Sequence, residues 1–162
     1  SCKARLVVEN DDKASMYSVN MLYNFMHRNV GIPITFDYFH HKFHPDGLSE
    51  YDALMLARET WPSHIRQATH WSESRREEQL RLIDATCKTN NIDMKDIDSW
   101  PTLSAIHREF SKTKATAHSD YIQGPIETYG LNLDIMIEAK AKELALLQFR
   151  NIYAYKQQEV LV

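Results

Sequence analysis

With 162 residues, 43% of them hydrophobic and 25% charged, the chain is long enough for one domain with a buried core and too ordinary in composition for a disordered or fibrous protein. No apolar run approaches the roughly 20 residues of a membrane span, the N-terminal stretch SCKARLVVENDD has no signal-peptide core, and Cys2 and Cys87 form no C-x-x-C pair or disulfide framework. A soluble intracellular protein with free thiols is expected. The net charge of −3 argues mildly against a nucleic-acid binder, yet carboxylates that hold divalent ions count as negative in that sum although the ions reverse their local field.

Taken in chain order, four segments share one shape: a short apolar or β-branched run, a polar residue, then a helix-compatible stretch. The first runs from Arg5 to Val8 and ends in Glu9, followed by a helix over Tyr17 to Val30 with Val19, Leu22, Met26 and Val30 on one face. The second runs from Ile34 to Phe36 and ends in Asp37, followed by a helix over Ser49 to Thr60. The third runs from Ile65 to Thr69, interrupted by Arg66 and Gln67, and ends in His70 before a helix over Glu77 to Lys88. The fourth runs from Leu133 to Ile137, ends in Glu138, and precedes a helix over Ala141 to Tyr155. Alternation of this kind predicts an α/β fold with a parallel sheet. The charged segment 75–116, broken by Pro101, reads as an insertion with one or two helices rather than as a second domain.

Four β/α units amount to half of a TIM-type (β/α)8 barrel, whose usual size is about 250 residues. The chain opens almost directly on a strand and without an initiator Met, which favours a fragment of a longer protein over a smaller complete sheet.

In such barrels the chemistry sits at the C-terminal ends of the strands, and Glu9, Asp37, His70 and Glu138 all fall there. His40 and His118 lie in adjoining loops. Any one of these carboxylates, taken alone, reads as a helix cap, as do Asp11 and Asp12, and a lone histidine reads as structural. Recurrence at four strand ends is what independent caps would rarely produce, so the set is expected to hold metal. Imidazole and carboxylate together suit Mn²⁺ or Zn²⁺, with bridging carboxylates able to hold two or three ions.

Longer strings carry a family resemblance. Arg5-Leu-Val-Val-Glu-Asn-Asp-Asp12, Gly31-Ile-Pro-Ile-Thr-Phe-Asp-Tyr-Phe-His-His41, Thr69-His-Trp-Ser-Glu-Ser74, Ala117-His-Ser-Asp-Tyr121 and Met136-Ile-Glu-Ala-Lys-Ala-Lys-Glu143 are similar, in order, to motifs of the UV-damage DNA endonucleases. The resemblance spans the chain apart from the insertion and corresponds to the second half of that family's catalytic barrel. It implies a multinuclear site, usually filled with Mn²⁺ and with Zn²⁺ or Mg²⁺ as alternatives, that cleaves the DNA backbone 5′ to a UV lesion. Carried over by motif, the ligands are Glu9, Asp37, His40, His70, His118 and Glu138, with Glu9, Asp37 and Glu138 central to catalysis. The implied partners are UV-damaged double-stranded DNA and the N-terminal half of the same barrel, and the implied location is nucleus or mitochondrion in a eukaryote or cytoplasm in a bacterium.

One departure stands out: Ala68, two residues before His70, occupies a position where the family commonly has Lys. Arg66, Lys140 and Lys142 are candidate phosphate contacts, against the ordinary reading as solvated cations. Tyr38, Phe39, Trp71 and Tyr121 are candidate stacking residues, against the commoner fate of core packing. Competing readings are another metal-dependent barrel enzyme, acting on apurinic sites or isomerising sugars, and a non-catalytic half that needs a partner chain.

Overall fold

The computed structural model describes residues 6–158; Cys2 and Arg5, the expected start of the first strand, lie outside them. Four strands, β1 (Val8–Glu9), β2 (Ile34–Asp37), β3 (Ala68–Trp71) and β4 (Asp134–Ile137), form one sheet in the order β1-β2-β3-β4. Every neighbouring pair is parallel, with Glu9 opposite Thr35, Asp37 opposite His70, and His70 opposite Met136. Parallel neighbours need a crossover between them, and helices supply it. The α/β class with a parallel sheet is thus as the sequence predicts.

The first crossover is one helix in three pieces: α1 (Val19–Met21), a π-helical segment (Leu22–His27) and α2 (Arg28–Val30). Ser18 caps its start by accepting from the Met21 backbone N–H at 3.1 Å, and Gly31, at φ 67°, ends it in the left-handed conformation that glycine adopts without steric cost. Pro33 then cannot continue a helix, and the β-branched and aromatic run from Ile34 extends as β2.

Helix α3 (Tyr38–Phe43) follows β2 without a gap and was not expected, because its aromatic-rich sequence has low helix propensity. Asp37 overrides that propensity, its side chain accepting from the His40 backbone N–H at 2.8 Å. Helix α4 (Glu50–Glu59) starts on Ser49, with Glu50 and Asp52 placed favourably in the first turn. The third strand is shifted from its expected position: Ile65 belongs to a turn closed on Pro62, and pairing runs on through His70 to Trp71.

Helix α5 (Arg75–Asn90), a 3-10 turn (Met94–Ser99) and α6 (Pro101–Lys112) make up most of segment 75–116. Proline at the first position of α6 costs no hydrogen bond there. These helices share their own apolar cluster of Ile83, Cys87, Ile97 and Leu103. The main cluster lies elsewhere, with Val8, Ile34, Phe36 and Trp71 from one face of the sheet and Tyr38 from the start of α3 packing against Val19, Leu22, Ala53, Leu54 and Ala57 from the other helices. The last helix, α7 (Glu143–Gln158), follows β4. No helix among the described residues is long and apolar enough to cross a membrane.

Candidate metal centre

Side chains alternate between the two faces of a strand, so residues one step out of phase with Ile34, Phe36 and Trp71 share the opposite face. Glu9, Thr35, Asp37, Ala68 and His70 are those residues, and Glu138 follows β4 on the same phase as Met136. The parallel register places the strand ends level, and the polar residue at or next to the end of each strand meets its neighbours there.

The resulting contacts are close. His70 Nδ1 lies 3.0 Å from Glu9 Oε1 and 3.2 Å from Glu138 Oε1. His40 Nδ1, one turn into α3, lies 3.5 Å from Glu9 Oε1 and 3.7 Å from Asp37 Oδ2. Two triads, Glu9–Asp37–His40 and Glu9–His70–Glu138, each offer ligand atoms within 4.8 Å of one another, and Glu9 belongs to both. His118 reaches the edge of the group, its Nδ1 3.7 Å from Glu138 Oε2 and its ring centroid 6.4 Å from that of His40.

His118 owes this position to a tether on both sides. Arg75 N–H donates to the Ala117 carbonyl at 2.8 Å and Ser119 N–H to the Glu73 carbonyl at 2.8 Å, fixing the segment beside the end of β3, while Lys140 N–H donates to the Ser119 carbonyl at 3.0 Å and ties it to the segment after β4. The six candidate ligands therefore come from four strand ends, one helix and one tethered loop, and all six meet at one end of the sheet.

The electrostatics divide the carboxylates. Burial works against ionisation of Glu9, but the hydrogen bond and charge of His70 outweigh it and hold Glu9 below the ordinary glutamate range. Asp37 is completely buried and is pushed up to about 6, first by burial and further by the charge of Glu9. Its Oδ1 caps α3, whereas its Oδ2 is buried with no hydrogen-bond partner among the described residues. The hydrogen bond to Glu9 raises His70 above the ordinary imidazole value, while burial depresses His118.

The candidate phosphate contacts separate. Arg66 precedes β3 and pairs with Asp134 at 3.2 Å, where β4 begins, so it stands at the opposite end of the strands from Glu138. Lys140 and Lys142 are exposed and follow Glu138 on the site's own end, and the charge of Lys140 is felt at His118. Of the candidate stacking residues, Tyr38 and Phe39 are buried in packing and Trp71 lies edge-on to Tyr38 at 4.9 Å between centroids; Tyr121 is half-buried. His41 is buried against Phe36 on the far face of the sheet and stays out of the cluster. Asn10, which the sequence reading passed over, is buried between the ends of β1 and β2 and contacts Asp37 and His40.

Comparison with known proteins points the same way. A family model described as UV-endonuclease UvdE matches residues 1–161. A UV-damage endonuclease of Schizosaccharomyces pombe is 32% identical over 161 residues, covering 94% of this chain and 21% of that protein. A solved structure titled "Crystal Structure of SacUVDE" superposes with a TM-score of 0.61 at 25% identity, covering 95% of this chain and 41% of that one. The chain spans 21% of the length of the first relative and 41% of the second.

Proposed function

The chain belongs to the UV-endonuclease UvdE family, and from that premise we propose that it carries the second half of the catalytic barrel of a divalent-metal-dependent DNA repair endonuclease, which cuts the phosphodiester backbone 5′ to UV photolesions. The observation that carries the reading is the convergence of three carboxylates and three imidazoles at one end of the parallel sheet.

The residues fit a metal. A buried carboxylate oxygen without a donor, beside a second carboxylate, is an arrangement that costs several kcal/mol unless a cation or a proton compensates it. The donor set of imidazole nitrogen and carboxylate oxygen matches Mn²⁺, with Zn²⁺ and Mg²⁺ as alternatives. Glu9, Asp37, His40, His70, His118 and Glu138 would hold the ions, with Glu9 common to both triads. Bound there, divalent ions would supply an acidified water as nucleophile and positive charge for the phosphate and the departing 3′ oxygen.

The chain's own side chains do the rest. Glu9 accepts from His70 Nδ1, and Glu138 lies 3.2 Å from the same nitrogen, so the ring is held between two strand ends. Asp37 fixes the start of α3 and with it the reach of His40. Lys140 and Lys142, exposed on the same end, offer charge to the DNA backbone, whereas the placement of Arg66 at the other end gives a phosphate role no support.

A barrel completed by a further N-terminal half accounts for two features. The strands at both ends of the sheet, β1 and β4, have a free edge among the described residues, and the relative of known structure is more than twice as long. Segment 75–116 would be an accessory element outside that barrel, which its separate apolar cluster supports. Double-stranded DNA as substrate implies the nucleus or mitochondrion of a eukaryote or the cytoplasm of a bacterium.

The test is incision of UV-irradiated and undamaged duplex by the full-length protein with Mn²⁺ and with chelator. Cutting immediately 5′ to the lesion, lost on chelation and restored by Mn²⁺, is expected. Incision that persists without divalent metal would remove the basis of the proposal.

A further inference from the structure

Beside the six candidate ligands lies a residue that belongs to none of the triads and touches two of their members. Asn10 follows β1 directly and is 1% exposed. Its side-chain amide mimics a peptide group: Nδ2 donates to the Asp37 carbonyl at 2.9 Å, and Oδ1 accepts from the Asp37 backbone N–H at 2.9 Å. Its own backbone carbonyl accepts from His40 Nδ1 at 2.8 Å.

We infer that Asn10 is a positioning residue of the metal centre, setting the separation of Glu9 from Asp37 and the ring state of His40; the inference rests on the metal-site reading above. Strand β1 is only two residues long, and its backbone leaves the sheet at Asp11, whose N–H turns to the Tyr17 carbonyl. Without Asn10 the pairing of β1 with β2 would stop at Glu9 and Thr35. The amide adds one further rung, from side chain to backbone, at the level where Glu9 and Asp37 must meet.

The second contact fixes a tautomer. A carbonyl oxygen can only accept, so His40 Nδ1 donates in this contact, and in the neutral ring Nε2 then keeps its lone pair. That is the state in which an imidazole ligates through Nε2, with its other nitrogen anchored to the backbone. Asparagine alone suits the double contact with Asp37. Aspartate has no donor for the Asp37 carbonyl and would add a third negative charge beside Glu9 and Asp37, alanine does not reach, and glutamine is one methylene longer than the fitted pair allows.

The experiment compares Mn²⁺ affinity, by calorimetric titration of the full-length protein, among wild type, Asn10→Ala, Asn10→Asp and Leu103→Ala. The last loosens the α5–α6 cluster without touching β1 or β2. Both Asn10 variants are expected to bind Mn²⁺ roughly ten- to a hundredfold more weakly, the loss typical for groups that orient ligands, with Leu103→Ala unchanged. Affinity in a folded Asn10 variant equal to wild type, or an equal loss in Leu103→Ala, overturns the inference.

A second measurement needs no Asn10 variant. Long-range ¹H–¹⁵N spectra of the histidine rings in metal-free protein, with His40 assigned through His40→Gln, should show its proton on Nδ1; a proton on Nε2 instead overturns the inference by itself. If wild type binds no Mn²⁺ at all, the metal-site reading falls, and the ring state still decides whether Asn10 orders His40.

Discussion

The two faces of the sheet are built from alternate residues of the same strands and have opposite chemistry. On one face Ile34, Phe36 and Leu54 are fully buried in apolar contact; on the other, one residue out of phase, Asp37 is equally buried but left with an unpartnered oxygen beside Glu9. Burial of the first kind stabilises by about 1.5–3 kcal/mol per large side chain. Burial of the second kind costs free energy in the metal-free protein, and on the proposed function a bound cation would offset that cost. The comparison teaches that the helix-covered face holds the fold together and the polar face spends some of that stability on a site.

The sharpest way to break this contrast is Asp37→Asn. On the proposed function, incision by the full-length protein should fall by about three orders of magnitude or more, in line with losing a group that acts directly at the reacting centre. Stability should move the other way. The folded-state value of Asp37, about 6 against 3.8 in the unfolded chain, means that the folded protein gives up stability as pH rises from about 4 through 6. Asparagine has nothing to ionise, keeps an oxygen for the His40 N–H and gains a donor toward Glu9. The metal-free variant should therefore melt above wild type at pH 7.5 and match it near pH 3.5, as followed by thermal unfolding at both pH values. A variant less stable than wild type at pH 7.5 would contradict the division between the faces.

Phe36→Ala tests the other face. Removing a fully buried ring from the main cluster should destabilise by about 3–5 kcal/mol, measured by denaturant unfolding, with metal affinity in the surviving folded fraction little changed. Leu103→Ala should cost about 2–5 kcal/mol and should do so through the α5–α6 cluster alone. Hydrogen exchange would then rise in α5 and α6 before it rises in β2; exchange rising equally in both would show that the two clusters unfold as one.

A smaller effect is expected at Lys140. Lys140→Ala removes one exposed charge at the site's end of the sheet and should weaken DNA binding several-fold, with the slope of log affinity against log salt falling by about 0.9. Arg66→Ala, at the opposite end, should leave both quantities unchanged in the same binding titration.

Much of this arrangement is legible in the sequence because strand periodicity and polar strand ends are local signals. Ile-Thr-Phe before Asp37 and Ile-Met-Ile before Glu138 announce both the strand and the residue it delivers. What escapes is decided by tertiary contacts. Helix α3 is hidden because Asp37 reads as a ligand or as a cap, and it is placed to be both: one oxygen caps the helix and the other faces the cluster. The shift of β3 toward Trp71 follows from the turn at Pro62–Ile65, which an apolar isoleucine conceals. Asn10 looks like an ordinary residue after a strand, and only the approach of β2 turns its amide into a clamp. Arg66 has the right charge for phosphate, but whether it stands at the site's end of the strands depends on where β3 begins.

The central claim is that the polar face is a metal centre, and the most direct measurement is anomalous diffraction at the manganese edge from crystals of the full-length protein grown with Mn²⁺. The account predicts peaks between Glu9, Asp37 and His40 and between Glu9, His70 and Glu138, with Glu9 shared. Ordered crystals with no anomalous peak at these residues would contradict it.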